Sequence, residues 1–260
     1  MFMSVVTYEV RQGAAWLTIN RPEQRNALSD EVFDGLLKGL ADAKKDSQVR
    51  CVVLTGAGDK AFCAGGDLKW MNADADAYEA HFGKAKLATL FRSLWELGKP
   101  TIARVQGYCL AGGMGVALAC DFVVATDDSQ FGIPEVKVGL WPYMITIPIL
   151  HSLPPKIALR LMVTGDRVSA EEGYRLGFVS DLVSREELDQ RVDDIVAKIR
   201  KTAPQSVTFG RSTFYAVLNN DLEPRLKMLE AALSVNGSFP DAKEGMTAFA
   251  EKRKPRWETE

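Results

Sequence analysis

Residues 107–121 read Gly-Tyr-Cys-Leu-Ala-Gly-Gly-Met-Gly-Val-Ala-Leu-Ala-Cys-Asp, and the rest of the chain is best understood outward from them. A helix that begins at Gly112-Gly113 continues through small apolar residues, which predicts burial on all sides. Its first backbone N–H groups lack helical partners and carry the positive end of the helix dipole. Because glycines leave these groups uncovered, the segment suits a developing negative oxygen. Glu135 follows in apolar sequence, where burial should raise the pKa of its carboxyl group.

A second glycine-rich stretch has the same character. Residues 60–68 read Lys-Ala-Phe-Cys-Ala-Gly-Gly-Asp-Leu. Taken alone, the glycines of either stretch could serve only tight turns and close packing. Just before them, Gly56-Ala57-Gly58 and the residues up to Ala61 match the glycine fingerprint of dinucleotide-binding proteins. That fingerprint must open a helix, and the Phe-Cys-Ala-Gly-Gly run at 62–66 would break one, so we do not predict a dinucleotide site.

The composition excludes several classes of function. The chain has 260 residues and a formal net charge of −2, which gives no reason to expect nucleic acid or a membrane surface as a partner. No apolar run reaches the ~20 residues that span a bilayer, and the N-terminus lacks the pattern of a signal peptide. Two histidines and no His/Cys cluster argue against a metal site and against a Ser-His-Asp triad. Four cysteines among apolar residues predict buried, reduced thiols in a cytoplasmic protein.

The periodicity predicts an α/β chain that becomes helical toward its C-terminus. Residues 5–11 and 15–20 read as paired strands, and Cys51–Thr55 reads as a strand buried on both faces. A strand followed by a glycine-led helix occurs twice, at 51–68 and at 101–119. Ser169 and Glu172 form a capping box whose helix should end at Gly177. The helices after residue 203 carry more apolar residues than one layer needs, namely Leu226, Leu229, Leu233, Met246 and Phe249.

Five motifs in order resemble the crotonase family, which is also called the enoyl-CoA hydratase/isomerase family. They are the two glycine stretches, Asn20-Arg21-Pro22, Arg25-Asn26-Ala27-Leu28 and Glu251-Lys252-Arg253-Lys254-Pro255. The resemblance spans nearly the whole chain. It implies a spiral of repeated strand–strand–helix units over residues 1–202, which holds an acyl-CoA site, and a helical trimerisation region over 203–260.

The resemblance also implies a set of site residues. The backbone N–H groups of Ala64 and Gly112 would bind the thioester oxygen of an acyl-CoA as an oxyanion hole, and Glu135 would transfer a proton at a substrate carbon or with water. Arg25 matches a position near the nucleotide end of CoA, and Lys252 matches residues that reach CoA across a subunit boundary. The residues expected to contact substrate or CoA are Arg25, Ala27, Ala64, Gly65, Gly66, Asp67, Leu68, Trp70, Gly112, Trp141, Phe249 and Lys252.

Two departures from the family pattern bear on the reaction. The best-known hydratases carry a second glutamate in the helix after the glycines, and this chain has Gly115 there. With Glu135 alone, the enzyme could hydrate with one carboxylate, move a proton between carbons as Δ3,Δ2-enoyl-CoA isomerases do, or use a substitute residue. The segment 139–145 is bulky where many hydratases are glycine-rich. Trp141, with Trp70 and Met71 opposite, would then shorten the acyl pocket, although these side chains could equally be ordinary core residues.

The sequence therefore predicts an acyl-CoA enzyme that stabilises an enolate. Hydration of a 2-enoyl-CoA is our first interpretation, in fatty acid metabolism; double-bond isomerisation is the second, and a non-catalytic acyl-CoA binding protein is the third. We expect a homotrimer or homohexamer with no tightly bound cofactor and no metal. Coenzyme A would enter only as part of the substrate.

Overall fold

The computed structural model describes residues 4–67 and 77–259 as a two-sheet α/β fold. The strands are β1 (Val6–Arg11), β2 (Ala14–Ile19), β3 (Cys51–Gly56), β4 (Ala61–Cys63), β5 (Thr101–Val105), β6 (Tyr108–Leu110), β7 (Phe122–Thr126), β8 (Gln130–Gly132), β9 (Arg167–Ser169) and β10 (Asp181–Val183). The larger sheet has six strands in the order β1-β2-β3-β5-β7-β10, and the smaller has four in the order β4-β6-β8-β9. The hairpin β1–β2 and the pair β8–β9 are antiparallel, and all other pairs are parallel.

Ten α-helices connect and cover these strands in the described part of the chain. They are α1 (Asp30–Lys45), α2 (Ala77–Trp95), α3 (Gly112–Leu118), α4 (Thr146–Ser152), α5 (Pro155–Thr164), α6 (Ala170–Leu176), α7 (Leu188–Arg200), α8 (Pro204–Val217), α9 (Leu222–Gly237) and α10 (Pro240–Ala250). Short 3-10 turns lie at Pro22–Gln24, Pro134–Val138 and Arg256–Glu258. Helix α6 has the predicted cap, because the Ser169 hydroxyl accepts a hydrogen bond from the Glu172 N–H at 3.1 Å and Gly177 closes the other end.

The chain alternates between the two sheets, which confirms the predicted spiral. The units β3–β4–α2 and β5–β6–α3 each place one strand in the large sheet, the next in the small sheet, and then a helix. β7 and β8 repeat the same step before the helices α4 and α5. Parallel strands need such long crossovers, and the repeated hand of the crossover winds the chain in one direction.

The core explains why Cys51–Leu54 is apolar without interruption. Val52 and Leu54 belong to the main core with α1, α2 and α3, whereas Cys51 and Val53 pack on the opposite face against α7. The large sheet is therefore covered on both faces, and its strands need no polar side. All four cysteines are buried and unpaired, as predicted.

The helices after residue 203 differ in how firmly they join this core. Helix α8 is anchored through Arg211, whose guanidinium donates to Asp121 at 2.8 Å and to the carbonyls of Leu94 and Trp95. By contrast, no residue of α9 is buried, and only Ala248 of α10 is. Their predicted excess of apolar side chains is exposed in the single chain, at Leu226, Leu229, Leu233, Met246 and Phe249.

Candidate active site

Three parallel strands of the small sheet bring the separate motifs together. β4, β6 and β8 are neighbours, with Cys63 opposite Cys109 and Leu110 opposite Gly132. Carboxyl ends of parallel strands meet at one edge of a sheet, where α/β proteins commonly bind ligands. The residues that follow these ends are the second glycine stretch, the start of α3 and, three positions after β8, Glu135.

Two backbone N–H groups at this edge lie close together and have no hydrogen-bond partners among the described residues. Gly112 begins α3, so its N–H has no helical acceptor. The N–H of Gly66 donates to no residue that the structure describes. Its chain neighbours Gly65 and Asp67 both form backbone hydrogen bonds with Leu28. A Cβ placed on Gly112 would lie 3.9 Å from the Gly66 nitrogen, and one on Gly65 would lie 3.7 Å from the Gly112 nitrogen. The two groups therefore border one small space.

Ala64 does not present the free N–H that the sequence led us to expect. Its N–H donates to the carbonyl oxygen of Arg25 at 3.0 Å. That bond belongs to a short ladder in which the Leu28 N–H also donates to the Gly65 carbonyl at 2.8 Å. The expectation of an unoccupied donor at Ala64 is therefore wrong. The N–H groups of Gly65 and Gly66 donate to no described residue, and the Gly66 nitrogen is the one that lies near Gly112. We had expected Gly66 only among the binding residues.

The close approach of α3 to β4 depends on Gly113. A Cβ at this position would lie 2.3 Å from the Cys63 carbonyl oxygen, so any side chain would force the helix away from the strand. Every residue from Gly113 to Leu118 is buried, as the apolar sequence predicted. Ala111, just before the helix, holds a left-handed φ of 51°. This strained backbone fixes how Gly112 enters the site.

The Glu135 carboxyl group sits in a poorly solvated position on the 3-10 turn after β8. Burial raises its pKa from the usual 4.5 to about 7. Its Oε2 atom is buried and has no hydrogen-bond partner among the described residues. An unpaired buried carboxylate oxygen is costly for stability. Such a group, half protonated near neutral pH, suits proton transfer.

Ile145 fills the space beside Gly115. A Cβ on Gly115 would lie 2.3 Å from Ile145 Cγ2, 2.8 Å from its Cβ and 3.3 Å from Phe91 Cζ. Ile145 is itself buried, just before α4. A glutamate at position 115 would therefore collide with the core. The packing around Gly115 therefore excludes the carboxylate that the sequence lacks at this position.

Arg21 and Asn26, which carry part of the resemblance, hold the glycine loop in place. The Asn26 side chain is fully buried and donates to the carbonyls of Ala57 and Ala61 at 2.9 and 2.7 Å. The Arg21 guanidinium donates to the Ala27 carbonyl and to the Asp67 carboxylate, at 2.8 and 2.9 Å. These hydrogen bonds hold Ala27 next to Asp67, and therefore next to the glycine stretch to which Asp67 belongs. Sequence reasoning had quoted Arg21 and Asn26 without giving them a role.

The other expected contacts are spread more widely. Arg25 has a left-handed φ of 51° and lines a cavity of about 280 Å³ together with Lys60 and, at the amino ends of β6 and β8, Tyr108 and Gln130. Trp141 follows Glu135 on the surface, with 37% of its area exposed. Phe249 is 88% exposed at the end of α10, and Lys252 follows it. Leu68, Trp70 and Met71 lie outside the described residues.

Neither a metal site nor a membrane span is found in the part of the chain that the structure describes. Across residues 4–67 and 77–259, no group of three His, Cys, Asp or Glu side chains could hold a metal ion. No helix in the same ranges is long and apolar enough to cross a bilayer. The described groups at the candidate site are a pair of N–H donors and one carboxyl group with a raised pKa.

The comparisons with known proteins identify the class to which this two-sheet spiral belongs. The chain belongs to the enoyl-CoA hydratase/isomerase family, whose model matches residues 9–260. It is 36% identical over 254 residues to (E)-benzylidenesuccinyl-CoA hydratase of Thauera aromatica, covering 96% of this chain and 97% of that protein. It is 33% identical over 250 residues to crotonyl-CoA hydratase of Syntrophomonas wolfei, covering 96% of each.

The solved structures agree on the fold. An enoyl-CoA hydratase from Mycobacterium smegmatis superposes with a TM-score of 0.93 at 33% identity, over 98% of this chain and 99% of that one. The protein is thus a crotonase-family enzyme that acts on CoA thioesters. The acyl groups in the two relatives' names differ widely, so the family fixes the thioester and leaves the acyl group open.

Proposed function

We propose that the protein adds water to the double bond of a 2-enoyl-CoA, with Glu135 as its single acid–base group. The observation that carries this proposal is the buried, unpartnered Glu135 carboxyl oxygen, on the sheet edge where Gly66 and Gly112 offer unoccupied N–H groups. Relatives across the whole length of the chain are named as hydratases, which favours hydration.

In this mechanism the thioester oxygen accepts hydrogen bonds from the N–H groups of Gly66 and Gly112. Water adds its oxygen to the β-carbon while the Glu135 carboxylate takes the released proton, and the electron pair of the double bond moves onto the thioester as an enolate. Protonated Glu135 then returns that proton to the α-carbon, so the net change is the addition of one water. Each donor in such a hole contributes roughly 3 kcal/mol to lowering the barrier.

Isomerisation is the second candidate because one carboxylate is enough for it. Glu135 would remove a proton from one carbon and return it to another, with the same enolate held by the same N–H groups. Ile145 leaves no room at Gly115 for a second carboxylate that would hold a water, which is the observation that favours this alternative.

The remaining residues are assigned to CoA binding and assembly as part of the same proposal. Arg25 would bind the phosphates of CoA, and Ala27, Gly65 and Asp67 would contact the substrate beside the oxyanion donors. Trp141, with Leu68 and Trp70, would bound the acyl group. The exposed apolar side chains of α9 and α10 would meet neighbouring subunits of a trimer or hexamer, with residues 203–260 as the assembly region. Phe249 and Lys252 would then reach a neighbour's CoA.

Incubation with a panel of short, branched and aromatic 2-enoyl- and 3-enoyl-CoA thioesters in heavy water tests the reaction directly. Mass spectrometry of a hydratase reaction shows the mass of one added heavy water. Deuterium exchange with a moved double bond and no added water would instead identify an isomerase. A Glu135→Gln variant serves as the matched control for both. Binding without either reaction across the panel would favour the non-catalytic interpretation and overturn the proposal.

A further inference from the structure

A second cavity, of about 330 Å³, lies away from the candidate active site. Its lining includes Arg50 and Pro100, which directly precede the first residues of β3 and β5. It therefore lies at the amino ends of the central strands of the large sheet. None of its lining residues belongs to the site formed after β4, β6 and β8.

The charges on this cavity are all of one sign. Its charged lining residues are Lys44, Lys45, Arg50 and Lys99, and no carboxylate of the described residues lines it. None of the four makes an ion pair with a residue that the structure describes. This is unusual in a chain that has slightly more acidic than basic residues, 34 against 32.

Three of these cations are held in place by backbone carbonyls. The Lys99 ammonium donates to the carbonyls of Ala43 and Asp46, each at 2.6 Å. The Lys44 ammonium donates to the Glu96 carbonyl at 2.8 Å. These bonds restrain long side chains that would otherwise move freely, so the charges are already arranged before any ligand arrives.

Arg50 is held in the same way. Its guanidinium donates to the carbonyls of Arg200 and Thr202, at 3.3 and 2.7 Å. The carbonyls at the ends of α1, α2 and α7 offset part of the positive charge, at about half a unit for each helix. Four positive charges exceed the roughly one and a half negative charges of these helix ends. The carboxylates of Asp46 and Asp241 add negative charge nearby but do not line the cavity.

Two of the cations are also partly removed from solvent. Burial lowers the pKa of Lys99 and of Arg50, which means that desolvation disfavours their charged forms. The Asp46 and Asp241 carboxylates oppose this effect without forming ion pairs. A bound anion would favour the charged forms of both side chains in the same way.

We propose that this cavity binds a small phosphate-bearing anion, independently of the acyl-CoA site. Clustered lysine and arginine side chains are the usual partners of phosphate oxygens. Val49, Pro100 and Ile199 add an apolar wall, which could contact the non-phosphate part of a ligand. The volume is at the lower end of small-molecule sites, so the ligand is no larger than a nucleotide.

Isothermal titration calorimetry of the intact protein at low salt tests the proposal, with pyrophosphate and adenosine monophosphate as separate probes. We expect saturable binding at one site per chain. Lys45→Glu should weaken it at least about tenfold, because Lys45 lines the cavity and no described hydrogen bond depends on its side chain. Lys156→Glu, an equal charge change on the exposed side of α5, should leave it unchanged. Tighter binding of the nucleotide would identify nucleotides as the source of the phosphate, and equal binding would identify phosphate groups alone.

A further arm separates this cavity from CoA binding. The titration is repeated with an Arg25→Ala variant, and pyrophosphate binding should survive this change. Loss of binding in that variant would assign the phosphate to the proposed CoA site and overturn the proposal. Absence of saturable binding, or equal weakening by Lys156→Glu, would also overturn the proposal. The four cations would then serve only to cap the ends of helices. Because calorimetry needs no turnover, the result does not depend on which reaction Glu135 performs.

Discussion

Replacing Glu135 with glutamine should change activity and stability in opposite directions. Between pH 4.5 and about 7, the folded protein holds a proton on Glu135 that the unfolded chain has released. The wild-type free energy of unfolding therefore contains a contribution that is present below pH 4.5 and is lost as the pH rises through 7. Glutamine does not titrate, so the variant lacks this loss.

The size of the effect follows from the pKa. At about 1.4 kcal/mol per pKa unit, moving from 4.5 to about 7 corresponds to at most about 3.4 kcal/mol, of which roughly 2.5 kcal/mol falls between pH 5 and pH 8. Partial solvent exposure reduces this, so we expect the variant to gain ~1–2 kcal/mol on wild type between the two pH values. Comparing two pH values cancels any packing difference between the amide and the carboxyl group.

Urea unfolding at pH 5 and pH 8, at one protein concentration, measures this gain. Glu9→Gln, which removes an exposed carboxylate on β1, is the matched control and should show none of it. In the same preparation, Glu135→Gln should lower kcat at least ~100-fold with little loss of acyl-CoA affinity. Wild-type kcat/KM for hydration should rise with pH around 7, as the carboxylate forms. Parallel pH dependence of stability in wild type and variant would refute the desolvated carboxyl group, and near-normal turnover would remove Glu135 from the mechanism.

Four other changes test the remaining parts of the site and the assembly region. Gly112→Pro and Gly66→Pro each delete a proposed oxyanion donor and should abolish turnover in protein whose circular dichroism is native; a folded, fully active variant of either would contradict that assignment. Gly115→Ala should destabilise the protein by ~1–3 kcal/mol through its collision with Ile145, and a double-mutant cycle with Ile145→Gly should show a coupling of at least ~1 kcal/mol in urea unfolding. Additive effects would mean that the two residues do not share that space. Deleting the chain after Asn236 should lower both the mass measured by light scattering and the acyl-CoA affinity; a fully active monomer would argue against a shared site.

Much of the fold and part of the site can be predicted from residues that lie close together in the sequence. The small apolar residues after Gly112 predict a buried helix with uncovered N–H groups, and the structure has that helix at Gly112–Leu118. The unbroken apolar run from Cys51 predicts a strand covered on both faces, and two separate cores cover it. The apolar neighbours of Glu135 predict a raised pKa, as the structure shows. Each of these predictions uses only residues that are adjacent in sequence or one helical turn apart.

The identity of the free donor depended on contacts between distant segments. Ala64 and Gly66 are equivalent in local sequence, since both carry a backbone N–H in a glycine-rich loop. Only the alignment of residues 25–28 beside 64–67 engages the Ala64 N–H and leaves that of Gly66 unoccupied. The periodicity of the sequence does not indicate which residues of these two segments lie opposite each other. Their alignment is fixed by long-range hydrogen bonds such as those of Asn26.

The reason for glycine at position 115 is likewise a tertiary one. The sequence shows that a carboxylate is missing there, and only the packing shows that Ile145 occupies its volume. The same holds for the cavity with four cations, whose residues come from three separate segments of the chain. Side chains far apart in sequence acquire a common surface only when the sheets and helices are assembled, because burial and electrostatic fields depend on distance in space.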